Sequence, residues 1–224
     1  MIASTTRRHH RASLAAAFAA ALFVMGAIAA PAAMAAPAAA AADTYTFDVA
    51  HSNIGFTVRH FFSKVPGHFT QYEGTLLFDS ADLSKSVVNV TIEAASINTG
   101  VDKRDTHLKS PDFFDVEKFP KLTFVSNKVT PAGTGKAKVE GMLTIRGVSK
   151  PVTLDVDLLG SGPDGWGGVR AGFEARTRIN RQDYGVAWNK VVEGGGSVLS
   201  DDVDITLNVE AIKQAPKPAE PEKK

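Results

Sequence analysis

Apolar and polar residues alternate with a period of two along most of the chain. Val88, Val90, Ile92 and Ala94 are separated by Asn89, Thr91 and Glu93. Val152, Leu154, Val156 and Leu158 are separated by Thr153, Asp155 and Asp157. The same pattern runs through Val169, Ala171, Phe173 and Ala175, and again through Val203, Ile205, Leu207, Val209 and Ala211. Successive side chains of an extended chain point to opposite faces, so each run predicts a strand with one apolar and one wet face. Further strands are expected over 53–59, 67–79, 121–129 and 136–146, with a stub at 44–48. Turn residues separate them: Asp79-Ser80, Pro131-Ala132-Gly133, Gly147 and the glycine-rich 160–168.

About eight long strands with short connections predict a sandwich or an up-and-down barrel. Nearly every strand is wet on one side, and no long helix is available to cover a sheet. A closed barrel turns all apolar faces inward and removes the edges. One segment departs from the pattern. Asp102-Lys103-Arg104-Asp105 reads as an N-cap with an acid three residues on, and predicts a short helix to Lys109 that Pro111 ends. Phe113, Phe114 and Phe119 follow, so this crossover packs on the barrel or closes one end. The expected fold class is therefore all-β, an eight-stranded antiparallel barrel with one short helical crossover. Such a barrel is just wide enough to be filled by side chains or to hold a ligand. Ala94, Gly141, Ala171 and Ala175 fall at inward positions, where small residues leave room. The pattern leaves a hollow bore and a packed core equally open.

The ends of the chain read differently. Arg7, Arg8 and Arg11 precede an uncharged run of about 17 residues, Leu14 to Ala30, short for a membrane span. Ala33-Met34-Ala35 then gives the small-residue exit of a secretory signal peptide. Ala40-Ala41-Ala42 would also serve as the cut. The residues after Arg7-Arg8 do not fit a twin-arginine signal, so the general secretory route is expected. Residues 1–42 are thus read as leader and spacer, 43–213 as the folded domain, and 214–224, rich in Ala, Pro, Glu and Lys, as a disordered tail. No stable membrane span is expected after cleavage.

Charge and cysteine content narrow the function. Loss of the three leader arginines takes the net charge from +1 to about −2, which gives no electrostatic footprint for nucleic acid. The chain has no cysteine, so disulfides and thiol chemistry are excluded. His51, His60, His68 and His107 have no metal-ligand spacing, although His51, His60 and His107 could meet in space. Gly133-Thr134-Gly135-Lys136 lacks the first glycine of a phosphate loop, and Gly195-Gly196-Ser197-Val198-Leu199 lacks the last glycine of a nucleophile elbow. Asp155 and Asp157 alternate outward as solvated charges. Three polar clusters remain: Arg59-His60, Arg104-Asp105 with His107, and Arg178 to Asp183 with Tyr184. No nucleophile accompanies them. They are read as hydrogen-bonded pins holding the crossover and loop to the barrel, or as groups meeting a ligand headgroup. No catalytic residue, metal ligand or cofactor is expected.

An ordered series of short motifs then carries a resemblance. His51-Ser52-Asn53-Ile54-Gly55-Phe56-Thr57-Val58-Arg59-His60 is followed by a Val65-Pro66-Gly67-His68-Phe69 turn. Ser96-Ile97-Asn98-Thr99-Gly100 leads into Arg104-Asp105-Thr106-His107-Leu108-Lys109-Ser110 and Asp112-Phe113-Phe114-Asp115. Later come Phe119-Pro120, Thr123-Phe124, the stretch from Gly141 to Val152, and Arg181-Gln182-Asp183-Tyr184-Gly185-Val186. The series resembles the YceI-like family of exported lipid- or polyisoprenoid-binding proteins over all of 43–213. The resemblance implies a lipocalin-like antiparallel barrel with an elongated apolar pore, a periplasmic location and no catalytic residues. It implies a long-chain polyprenyl lipid or an isoprenoid quinone as the bound partner, with the protein as carrier or storage protein. A homodimer is left open.

With a hollow pore, inward parity makes Phe56, Val58, Val90, Ile92, Leu143, Ile145, Leu154, Val156, Phe173, Ile205 and Leu207 the lining. Phe113, Phe114, Tyr184 and Trp188 are expected at the mouth. Two alternatives stand beside this reading. An enzyme requires His60, His107 and Arg104 to converge around an open pocket. A structural module requires a filled core.

Overall fold

The computed structural model describes residues 42–191 and 197–215. The leader expected over 1–42 and the tail over 214–224 lie outside the described residues, apart from Ala42, Gln214 and Ala215. The strands are β1 (Asp43–Phe47), β2 (Asn53–His60), β3 (Ser63–Phe69), β4 (Tyr72–Phe78), β5 (Val87–Glu93) and β6 (Ile97–Asn98). After helix α1 (Asp102–Lys109) come β7 (Lys121–Pro131), β8 (Lys136–Ile145), β9 (Val148–Pro163), β10 (Val169–Asn180) and β11 (Leu199–Lys213). All pairings are antiparallel, in the order β1-β4-β5-β7-β8-β9-β10-β11, and β11 pairs back to β1. That closure makes a barrel. β2, β3 and β6 continue three of its strands, so the eleven segments amount to eight long ones.

The three breaks lie side by side and have a common effect. β1 gives way to β2 through a 3-10 turn over Val49–His51, β3 to β4 at Thr70 and Gln71, and β5 to β6 through Ala94–Ser96. Gly67 and Phe69 are buried in β3, whereas Tyr72, Gly74, Leu76 and Phe78 are buried in β4. Inward parity therefore changes from odd to even across the break. An unbroken strand over 67–79, the expectation from alternation, would turn half of these side chains to water, because a one-residue slip flips every face. Side chains bridge the interrupted ladder. Ser96 Oγ donates to the carbonyl of Glu93 at 2.7 Å, Tyr72 Oη to that of Ser52 at 2.7 Å, and Ser52 Oγ accepts from Glu210 N–H at 3.0 Å.

Three other expectations are corrected. Residues 65–69 are not a turn; they lie within β3, where Pro66 pairs with Thr57. β6 meets β3 only at His68 and Phe69, so Pro66 faces an edge, where its missing N–H is tolerated. Gly160 and Gly162 belong to β9, which shortens the loop before β10. Asp102 does not cap α1. Val101 holds the cap position without a side-chain bond, and Asp105 instead accepts from Thr99 N–H at 3.0 Å and Thr99 Oγ1 at 2.5 Å.

The small inward residues do not open the bore as expected. Of Ala94, Gly141, Ala171 and Ala175, only Ala175 lines the cavity. A Cβ on Gly141 would stand 2.5 Å from the Phe124 ring. Phe56 covers Gly67, and Phe47 covers Gly74, in the same way. Phenylalanine rings thus lie flat over glycines of the neighbouring strand, so these glycines serve wall packing. Outside the barrel, Asp155 pairs with Lys138 and Asp157 with Lys136. Such exposed pairs contribute little to stability.

Candidate functional site: an apolar bore with one basic end

The barrel encloses a cavity of about 700 Å³. A packing void holds a few atoms at most, while ligand pockets run to roughly 300–1,000 Å³. The bore is therefore of ligand size, and a filled core is set aside. Its wall comes from the apolar faces of the alternating strands. All fifteen residues expected at the lining and mouth face it: Phe56, Val58, Val90, Ile92, Leu143, Ile145, Leu154, Val156, Phe173, Ile205, Leu207, Phe113, Phe114, Tyr184 and Trp188. Others on the same faces join them, among them Leu122, Phe124, Val139 and Ile179. Their period-two spacing was the available signal. No buried side-chain nitrogen or oxygen among the described residues lacks a hydrogen-bond partner. The buried part of the wall thus holds no orphan polar side chain for a ligand to satisfy.

Ionisable groups gather at one end. His60, Lys103, Arg104, His107 and Arg181 line the cavity there, together with Thr99, and no Asp or Glu lines it among the described residues. The three clusters that are separate in sequence are thereby brought around one rim. Sequence reasoning missed Lys103, because a lone lysine on a short polar helix has no pattern to betray it. The opposite end is apolar: Tyr45 meets Phe78 edge-on at 5.7 Å, and Phe78 meets Phe173 at 5.3 Å.

Most of the basic groups at this end have structural duties. Arg104 donates Nε to Thr99 Oγ1 at 2.7 Å and Nη2 to the Thr99 carbonyl at 2.8 Å, tying α1 to the end of β6. Arg181 is only 6% exposed. It donates Nη1 to the carbonyls of Val186 at 2.6 Å and Trp188 at 2.9 Å, and Nε to that of Ser200 at 2.9 Å. That fork holds the segment carrying Trp188 against β11. Burial lowers the Arg181 pKa and pushes that of the Tyr184 phenol up to about 12, so the phenol stays neutral. Trp188 packs on Phe113 at 5.2 Å, and His107 stands edge-on to Phe113 at 5.0 Å and to Trp188 at 5.1 Å. His107 Nε2 lies 2.8 Å from Asp112 Oδ2. Arg146 Nη1 donates to the carbonyls of Phe113 at 2.7 Å and Gly185 at 3.2 Å, joining crossover to loop.

His60, Arg104 and His107 share this end, yet no hydrogen bond joins them to one another among the described residues. His51 does not join them either. It sits with Asp48 and Glu210, the one convergent His/Asp/Glu group among the described residues. A guanidinium already occupies that group: Arg170 Nη1 bonds Asp48 Oδ2 at 2.6 Å and also bonds Glu210. The site is a cross-strand ion network that fastens the break between β1 and β2 to β10.

The model of the YceI-like domain matches residues 45–211. A UPF0312 protein of Serratia proteamaculans is 42% identical over 164 residues, spanning 73% of this chain and 82% of that protein. Among solved structures, BcnA of Burkholderia cenocepacia matches with a TM-score of 0.65 at 27% identity, over 73% of this chain and 98% of that one. A polyisoprenoid binding domain from Saccharophagus degradans shares the fold, with a TM-score of 0.54 at 17% identity, over 76% of this chain and 98% of that one. The family span begins in β1 and ends in β11, the two strands whose pairing closes the barrel. The chain belongs to the YceI-like family.

Proposed function

We propose that this barrel binds a long-chain apolar lipid in its bore, a polyisoprenoid or an isoprenoid quinone, and serves as a periplasmic carrier or storage protein. The observation that carries the reading is the cavity itself, of ligand size and walled by apolar side chains along its length. A polyprenyl tail has no hydrogen-bonding groups, so its affinity comes from area removed from water. Burying ~500 Å² of ligand at ~25 cal/mol/Å² gives roughly 12 kcal/mol gross, from which ordering and lost free motion subtract much. The Saccharophagus degradans domain of the same fold is described as binding polyisoprenoids, and the proposal extends that ligand class to this chain. The basic end suits the headgroup, since Lys103, Arg104 and His107 stand there without a lining carboxylate. A binding role, not catalysis, also accords with the ties of Arg104 and Arg181 to backbone carbonyls. The leader pattern of 1–42 supports export.

Organic extraction of the protein from its native source, followed by mass spectrometry, tests the reading. A copurifying apolar chain, or uptake of added polyprenyl lipid, is expected. A clean blank together with no uptake would overturn it.

A further inference from the structure

The hairpin between β2 and β3 goes against two preferences of strand turns. His60 pairs with Ser63, which leaves Phe61 and Phe62 as the two central residues. Tight hairpins favour Gly, Asn or Asp at such positions, because their twist demands positive φ. Phe61 takes a φ of 49°, a left-handed conformation that is a genuine outlier for a bulky side chain. Phe62 is fully exposed, at 104%. Behind the tip, Arg59 and Lys64 lie directly opposite each other, an arrangement in which like charges repel. Arg59 donates Nη1 to the Phe61 carbonyl at 2.9 Å, and neither cation has an ion-pair partner among the described residues. No acidic residue occurs between Asp48 and Glu73. Lys190 belongs to the same rim, since Val198 accepts from Phe61 N–H at 2.9 Å and donates its own N–H to the Lys190 carbonyl at 3.1 Å.

The positive φ at Phe61, the bare Phe62 ring and the facing cations each oppose folding or solubility. Local rules broken without structural benefit concentrate at functional positions. Exposed aromatics with Arg59 and Lys64 behind them and Lys190 on the same rim fit a surface with anionic headgroups above an apolar interior. We propose that the Phe61-Phe62 tip docks the barrel on an anionic phospholipid bilayer, with the rings at the acyl boundary and Arg59, Lys64 and Lys190 at the phosphates. A second copy of the chain fits worse. A symmetric tip-to-tip contact would set Arg59 and Lys64 against their own counterparts. Trp166, also exposed, lacks this basic setting: its loop is held by Asp164, which accepts from Trp166 N–H at 3.0 Å and pairs with Arg170. His60 adjoins the tip and lines the cavity, so docking brings the basic end of the bore to the bilayer. The proposal stands whatever the bore holds.

All described strand pairings lie between Asp43 and Lys213, so a chain starting at Asp43 keeps the whole barrel. Its cosedimentation with vesicles of phosphatidylcholine, with and without phosphatidylglycerol, tests the proposal. The wild type is expected to bind the anionic vesicles. Phe61→Gly/Phe62→Ser supplies a favoured turn, so its melting temperature should hold or rise while vesicle affinity falls about tenfold or more. Arg59→Gln/Lys64→Gln should lose about fivefold per cation on anionic vesicles only. Failure of the wild type to bind either vesicle, or undiminished binding by the glycine–serine variant, would overturn the proposal. So would a wild-type dimer that this variant dissociates, in the absence of vesicle binding.

Discussion

Arg181 shows how one side chain can set the shape of a whole rim. Its guanidinium satisfies the carbonyls of buried Val186 and half-buried Trp188 and Ser200, which would otherwise lose that partner. Arg181→Met preserves bulk but removes every donor. It should lower unfolding stability by about 2–4 kcal/mol in urea melts, and release the Trp188 ring, seen as a red-shifted fluorescence. Asp48 is a second single-residue lever. The His51 ring first, and then Arg170, hold its carboxyl at about 2 against an ordinary 3.8. Native Asp48 therefore binds its proton more weakly than unfolded Asp48. The stability it contributes is complete above the ordinary 3.8 and is lost as pH falls through about 2. Melting temperatures across that window should fall more steeply for the wild type than for Asp48→Asn. Equal slopes would contradict this assignment.

At the scale of elements, strands were legible wherever alternation was unbroken, as in β5, β8, β10 and β11. Breaks were not. Thr70 and Gln71 carry no glycine or proline, so nothing local announces a stop. The only trace is the three-residue step from Phe69 to Tyr72 between inward positions. The Phe61-Phe62 turn was hidden for the opposite reason: its residues belong to strands by propensity. The bore residues were readable because inward parity is a property of one strand at a time. The gathering of His60, Lys103, Arg104, His107 and Arg181 was not, since it arises only when β2, α1 and the segment after β10 meet at one end. The misreading of Gly141 has a direct check. Gly141→Ala meets the Phe124 ring and the Val125 carbonyl at 2.6 Å, and should destabilise by about 1–3 kcal/mol. Gly160→Ala has open space around it and should be neutral or slightly stabilising in the same melts. If the two behave alike, the ring-over-glycine account fails.

For the whole molecule, closure is what makes the bore. β11 pairs with β10 on one side and with β1 and β2 on the other, so no apolar face needs a second layer to cover it. The interior is then free to take a ligand, with basic groups at one end and aromatic packing at the other. Ala175 lines the cavity from β10, opposite Val156 and Leu207. A larger side chain there projects into the bore and competes with a guest for the same space. The decisive measurement is a titration of delipidated protein with a polyprenyl lipid, wild type beside Ala175→Phe, read by native mass spectrometry. Saturable uptake by the wild type is expected, with the folded variant weaker by about tenfold or more. No uptake by the wild type, or equal uptake by both, would contradict a lipid held in the bore.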